Sequence, residues 1–209
     1  MITRRQFAMT TAAAVCAPAI VGAQSSDLQT VIDGLPQLHS LQVSKGKETV
    51  FAEAPRGPGL DRLANIKSCS KSIVALLLGT AVARGDIPSV TASLADVAPG
   101  LLPTGIEDGV ADITMEDLVT LRAGLERTSG GNYGAWVSSS NWIANALSRP
   151  LVAEPGTQML YSTGSTHILG AALTEATGQS LLQLARRRLG DPLNIDIPAT
   201  ILDYAGVAL

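Results

Sequence analysis

Apolar and polar residues alternate through His39 to Val43, and Thr49 to Glu53 is rich in β-branched and aromatic residues. Two strands are predicted there, joined by a polar, glycine-containing turn over Ser44 to Glu48 and ended by the Pro55 to Pro58 loop. From Ser68 the pattern turns helical. Ile73, Val74, Leu76, Leu77, Leu78 and Val82 predict a long helix from about Ser68 to Arg84, closed by Gly85 and buried on most of its sides. Asp86 to Asp112, rich in Gly, Pro and Asp, predicts loops with short turns. Thr114-Met115-Glu116-Asp117 reads as a capping box opening a helix to about Leu121. Gly124 to Gly134 reads as a loop. Ser140 caps a helix to about Leu147, and a turn falls at Pro155-Gly156. A helix is predicted from about Ser165 to Ala176, with Gly178 after it; Ser180 caps a last one to Leu189, stopped by Gly190-Asp191-Pro192.

This order, two strands and then helices, leaves an imbalance. A two-stranded sheet is marginal alone, and the tail from Ile195 to Leu209 has room for one short strand at most. The pattern raises the expectation that further sequence completes the sheet, and that residues 24–209 alone would aggregate or stay molten with apolar helix faces exposed.

Composition narrows the class. The chain has 209 residues, 46% hydrophobic and 16% charged, which suits a globular domain or part of one and not a disordered chain. With a net charge of −3, 3% aromatic residues and no basic patch interleaved with aromatics, it does not read as a nucleic-acid binder. The run Arg186-Arg187-Arg188 is expected to be the solvated end of a helix.

Residues 1–23 read as an export signal. Arg4-Arg5 precede a mildly apolar, Ala-rich stretch ending Val21-Gly22-Ala23, which resembles a twin-arginine leader and is too short and small-residue-rich for a good membrane span. Cleavage after Ala23 would leave a periplasmic or secreted chain, residues 24–209, with no stable membrane anchor; Val15 argues against a lipid anchor at Cys16. The mature chain then keeps one cysteine, Cys69, which cannot form an internal disulfide and is expected as a small buried apolar group. No Cys/His cluster has metal-ligand spacing, His39 and His167 read as structural, and no cofactor is expected.

The candidate chemistry lies in Lys67-Ser68-Cys69-Ser70-Lys71-Ser72. On a helix, Ser68 and Lys71 share one face, which brings an amine to a hydroxyl. A desolvated lysine with a lowered pKa could take the serine proton, and a helix N-terminus favours a nearby oxyanion. Ser-x-x-Lys is a short pattern, and roughly one match is expected by chance in such a chain. Ser44-Lys45-Gly46-Lys47 is such a match, in a predicted turn. An ordinary helix start also accounts for Ser68.

Several segments together resemble one family, the penicilloyl-serine hydrolases related to class C β-lactamases, with their carboxylesterases and 6-aminohexanoate-oligomer hydrolases. They are Ser68-Cys69-Ser70-Lys71-Ser72 opening its helix; Ile113 to Thr120 followed by Ala123-Gly124-Leu125; Pro155-Gly156-Thr157, Tyr161-Ser162-Thr163-Gly164 and Leu169-Gly170; and Leu184-Ala185-Arg186 to Asp191-Pro192-Leu193. The resemblance covers about Leu41 to Ile195, in order. It implies an α+β, two-lobed fold in which a helical region lies beside an antiparallel sheet, incomplete in this chain. It implies Ser68 as acylated nucleophile, Lys71 as its proton acceptor and Tyr161 as a second proton-transfer group, and it makes Thr163 a substrate-binding candidate. Read without the family, Tyr161 is a half-buried loop residue.

The chain departs from the family in two places. Many relatives carry asparagine where Thr163 stands, which weakens the case for a β-lactam substrate. The third motif, a Lys/His-x-Gly strand supplying the second oxyanion N–H, would lie beyond residue 209, and losing one such donor typically costs on the order of 10²–10³ in rate. The expectation is an exported serine hydrolase acting on a small ester or amide through an acyl-enzyme. The alternatives are a truncated inactive product and a non-catalytic penicillin-binding or sensor-like module. No Gly-x-Ser-x-Gly elbow supports a Ser-His-Asp hydrolase, and oligomeric state is not legible. The leader yields the first prediction: changing Arg4 and Arg5 together to Lys traps the precursor in the cytoplasm, and unchanged periplasmic recovery on fractionation would refute it.

Overall fold

A computed structural model describes residues 21–199 of the chain. They divide into two compact units, between Asn65 and Ile66. The leader expected over residues 1–23 falls outside the described residues up to Ile20, and residues 200–209 of the tail lie outside them as well.

The first unit holds helix α1 (Val21–Asp33) and an antiparallel hairpin of β1 (Leu41–Lys45) and β2 (Glu48–Glu53). Ile32, near the end of α1, is fully buried. The hairpin turn is tighter than the sequence pattern suggested. Pairing runs from Leu41 opposite Glu53 to Lys45 opposite Glu48, with an irregularity between Val43 and Ser44. Gly46 takes the left-handed conformation such a two-residue turn needs, at φ 64°. Ser44 therefore lies on a strand, opposite Thr49, and its spacing to Lys47 is no helical face. Arg56 closes the unit by donating from Nη1 to the carbonyls of Leu35 (2.9 Å) and Ile32 (3.3 Å).

The second unit is helical. A 3₁₀ turn, Lys67–Cys69, leads into α2 (Ser70–Arg84), which ends on Gly85 in the left-handed region. Then follow α3 (Leu94–Val97), α4 (Met115–Val119), α5 (Tyr133–Val137), α6 (Trp142–Leu147), α7 (Thr163–Thr177), α8 (Leu181–Ala185) and α9 (Asp191–Leu193). The expected α+β class holds: a helical body and, among the described residues, one small antiparallel sheet.

The centre of this unit is α7, not α2. Nearly every residue from Gly164 to Leu173 is buried, and α2, α4 and α6 all pack against it. Its small residues Gly170, Ala171 and Ala172 are all buried. By contrast α2 buries only Leu77, Leu78 and Ala81, while Leu76 is 59% exposed and Ile73 36%. Apolar residues all round a helix read as deep burial, but only the α2 face turned to α4, α7 and α8 finds partners.

Other expectations change for local reasons. The Asp86 to Asp112 stretch contains α3, opened by a reciprocal capping box between Ser93 and Asp96, with Leu94 and Val97 buried. The Ser-x-x-Asp spacing was a readable signal there. The predicted loop ending at Gly134 gives way to α5, anchored by the buried Trp136. Asn141, not Ser140, caps α6, accepting from the Ala144 N–H at 2.9 Å. Gly190 does not stop the helix: Arg186–Gly190 continues as a π-helical turn into α9. A Cβ on Gly190 would lie 2.8 Å from the Ile195 carbonyl oxygen, so glycine serves close approach there, and Pro192 fits a first turn where no N–H is needed. Arg188 is not solvated; its side chain, 7% exposed, pairs with Asp86 at 2.8 Å. Cys69 is exposed, contrary to its expected burial.

Burial assigns the cost of truncation. Leu169→Ala in α7 is expected to lower unfolding free energy by about 2–5 kcal/mol, and Leu76→Ala on the exposed face by less than ~0.5 kcal/mol. Urea denaturation followed by circular dichroism measures both, and equal losses would contradict the placement of the core.

Candidate active site

The site begins with a strained residue. Lys67, directly before Ser68, has φ 49°, a left-handed conformation that costs a non-glycine residue about 1–3 kcal/mol and tends to persist at functional positions. It turns the chain from the preceding loop into the 3₁₀ turn that carries Ser68. Ser68 is therefore not the first residue of an α-helix, but the 3₁₀ turn keeps it three residues from Lys71 on a shared side. Lys71 Nζ donates to Ser68 Oγ at 3.5 Å. Ser70, between them, turns away and donates its hydroxyl to the Lys67 carbonyl at 2.8 Å.

Tyr161 completes the cluster. Lys71 Nζ lies over its ring, 5.2 Å from the centroid, where an ammonium meets the negative face of the π system. The Ser68 hydroxyl is the chief influence holding the Tyr161 phenol below its ordinary pKa; desolvation opposes it, and the Lys71 ammonium adds to the lowering. The hydroxyl thus outweighs the ammonium in this lowering. Lys71 itself is half-buried and Ser68 exposed.

A long-range backbone ladder holds Tyr161 in place. Residues 121–126 run alongside 150–160: Glu126 N–H donates to the Pro150 carbonyl at 2.8 Å, Val152 N–H to that of Gly124 at 2.9 Å, and Gly156 N–H to that of Arg122 at 2.9 Å. Leu160 N–H donates to the Leu121 carbonyl at 2.8 Å, and Leu121 is itself in the left-handed region, at φ 59°. Gly124, at φ 76°, allows the closest approach: a Cβ there would clash with the Ala153 carbonyl oxygen at 2.3 Å.

Thr163, the substrate-binding candidate, is placed differently. Its Oγ1 pairs with Ser129 Oγ at 3.1 Å, and it makes no hydrogen bond to Ser68, Lys71 or Tyr161. Ser129 and its neighbour Thr128 were not singled out from the sequence; a Thr-Ser pair in a loop carries no periodic signal. Away from the site, His167 packs edge-on to Trp136, 5.7 Å between ring centroids, which agrees with its structural reading. Among the described residues no group of His, Cys, Asp and Glu is placed to hold a metal ion, and no helix is long and apolar enough to cross a membrane.

The structure thus brings a serine, a lysine at hydrogen-bond range and a phenol of lowered pKa together, and the sequence matches the model of one family, Beta-lactamase, over residues 36–207. The chain belongs to the Beta-lactamase family. Solved structures agree in fold. EstCE1, described as a hydrolase with promiscuous acyltransferase activity, superposes with a TM-score of 0.68 at 20% identity, over 90% of this chain and 56% of that one. FmtA from Staphylococcus aureus gives 0.67 at 15% identity, over 83% and 49%. The octameric penicillin-binding protein homologue from Pyrococcus abyssi gives 0.63 at 18%, over 89% and 50%. The chain thus spans about half the length of the solved structures it matches. No curated protein matches the sequence.

Because Ser68 is the first cause of the lowered phenol pKa, Ser68→Ala is expected to move the Tyr161 titration up toward that of an ordinary tyrosine. Nuclear magnetic resonance on Cζ-labelled tyrosine, with the signal assigned by Tyr161→Phe, measures this. An unchanged midpoint would show that the two side chains do not interact in solution.

Proposed function

We propose that this Beta-lactamase family chain carries a serine hydrolase site that cleaves a carboxylic ester or amide through an acyl-enzyme on Ser68. The observation that carries the reading is the position of Lys71 Nζ, within 3.5 Å of Ser68 Oγ and over the Tyr161 ring at 5.2 Å. In this reading Ser68 Oγ attacks the substrate carbonyl carbon while its proton passes to the Tyr161 phenolate, whose charge the Lys71 ammonium offsets. The carbonyl π pair moves to oxygen, and a first-turn backbone N–H stabilises that charge. The intermediate collapses, the bond to the alkoxide or amine breaks, and the leaving group takes the proton from Tyr161. Water then attacks the acyl-enzyme, giving its proton to Tyr161, and Ser68 recovers a proton as the acid departs. The balance is one ester or amide and one water in, one acid and one alcohol or amine out.

This assignment makes Tyr161 the first acceptor and Lys71 its electrostatic partner, the reverse of the order the family resemblance implied. A half-buried lysine and a phenol held below its usual pKa support that reversal. Thr163 carries no amide where many relatives have asparagine, which weakens the case for a β-lactam substrate. The leader-like residues 1–23 would deliver the site to the periplasm or beyond.

A fluorophosphonate probe and a p-nitrophenyl ester test the reading on the full chain. Ser68→Ala is expected to abolish labelling and turnover, and Ser44→Ala to leave both intact. Lys71→Ala and Tyr161→Phe each lower kcat by about 10²–10⁴, and the double variant falls little further, because the groups act as a unit. Label recovered on Ser70 or Cys69 by mass spectrometry, or near-normal kinetics in Tyr161→Phe, would overturn the assignment.

A further inference from the structure

Tyr161 is 41% exposed, and among the described residues its side chain meets Ser68 and Lys71, the groups it is meant to serve. Its position must come from the backbone on either side. On the N-terminal side Leu160 is fixed by the Leu121 carbonyl. On the other side the chain enters α7 immediately, through Ser162 in an extended conformation.

That entry is built unusually. Ser162 occupies the N-cap position, yet its side chain does not cap the helix. Ser162 Oγ instead accepts from the Thr128 N–H at 3.1 Å and shares a hydrogen bond with Thr128 Oγ1 at 3.2 Å. Two N–H groups of the first turn are taken up by the other segment: Gly164 N–H donates to Thr128 Oγ1 at 2.8 Å, and Thr163 N–H to Ser129 Oγ at 3.0 Å. Thr128 is 1% exposed and Ser162 4%, so water cannot substitute. A Cβ on Gly164 would lie 2.7 Å from Thr128 Cγ2, so only glycine admits this approach. An ordinary cap would need only the local serine. Here donors and acceptors cross in both directions, and they fix loop and helix entry to each other directly beside Tyr161.

We propose that Thr128 and Ser129 are positioning residues: their hydroxyls cap α7 from outside and so set where the Tyr161 phenol stands beside Ser68 and Lys71. The proposal rests on the acyl-enzyme reading for its consequence in catalysis, though not for its geometry. Misplacing a catalytic group by about 1 Å can cost on the order of 10²-fold in rate.

The test compares Thr128→Val, which keeps the shape and removes the hydroxyl, with Thr128→Ser, which restores it, and with Ser129→Ala. Tyr161 titration by resonance on labelled tyrosine, kcat, KM and Tm are read for each. In Thr128→Val the Tyr161 midpoint is expected to rise toward that of an ordinary tyrosine, and kcat to fall at least ~10-fold with KM within ~2-fold. Thr128→Ser returns both toward wild type, and Ser129→Ala moves both in the same direction by less. A lower Tm with an unmoved Tyr161 midpoint and an unmoved kcat–pH limb would reduce the contacts to ordinary structure and overturn the proposal. Should Thr128→Val not fold, the same two readouts on Ser129→Ala decide it, and unmoved values there overturn it. A midpoint that shifts in Thr128→Val while even the wild-type chain turns over no ester would support the positioning and defeat the acyl-enzyme reading.

Discussion

A buried helix N-terminus leaves backbone N–H groups that water cannot reach, and each one left without an acceptor costs about 1–3 kcal/mol. The buried Gly164 N–H in the first turn of α7 is in that position, and the N–H of the half-buried Thr163 lies beside it. Thr128 and Ser129 supply the missing acceptors, and much of the helical unit follows from that requirement. To bring those two hydroxyls to α7, the segment from Leu121 must run back along residues 150–160, and it does so through the backbone ladder that Gly124 makes possible. Tyr161 lies where the ladder ends and the helix begins, so its place is fixed from both sides by groups that take no part in the chemistry proposed for it.

The other half of the site is built on different physics. Ser68 is presented by a 3₁₀ turn after a left-handed Lys67, at the open end of a helix that is only partly buried. Its contact with Lys71 is local, set by three residues of spacing. Its contact with Tyr161 spans most of the unit and is set by how α2 and α7 pack. A site assembled this way is sensitive to the α2–α7 interface: a shift of one helix along the other would preserve the serine–lysine pair and lose the phenol.

This chain spans about half the length of the solved structures EstCE1, FmtA and the Pyrococcus abyssi homologue, at identities of 15–20%. At such identities the likeness is one of fold, and chemistry must be argued from the site. The described residues hold a serine, a lysine and a tyrosine in mutual reach, and they hold the small hairpin of the first unit.

Local patterns in the sequence determined local structure. The hairpin, the Thr114–Asp117 capping box, the Ser180 cap of α8, and the glycine ends of α2 and α7 were legible because each depends on residues within a few positions of one another. The Ser68–Lys71 pair was legible for the same reason. Tyr161 came from the family resemblance of several segments taken together and not from its own surroundings. Tertiary structure alone decided which of two apolar helices became the core, since α2 and α7 are both rich in apolar residues and only packing partners distinguish them. It alone decided that Arg188 would be buried against Asp86 and Cys69 exposed. And it alone joined Thr128 and Ser129 to α7, because a hydroxyl that bonds across more than thirty residues of chain leaves no period, spacing or composition in the sequence to reveal it.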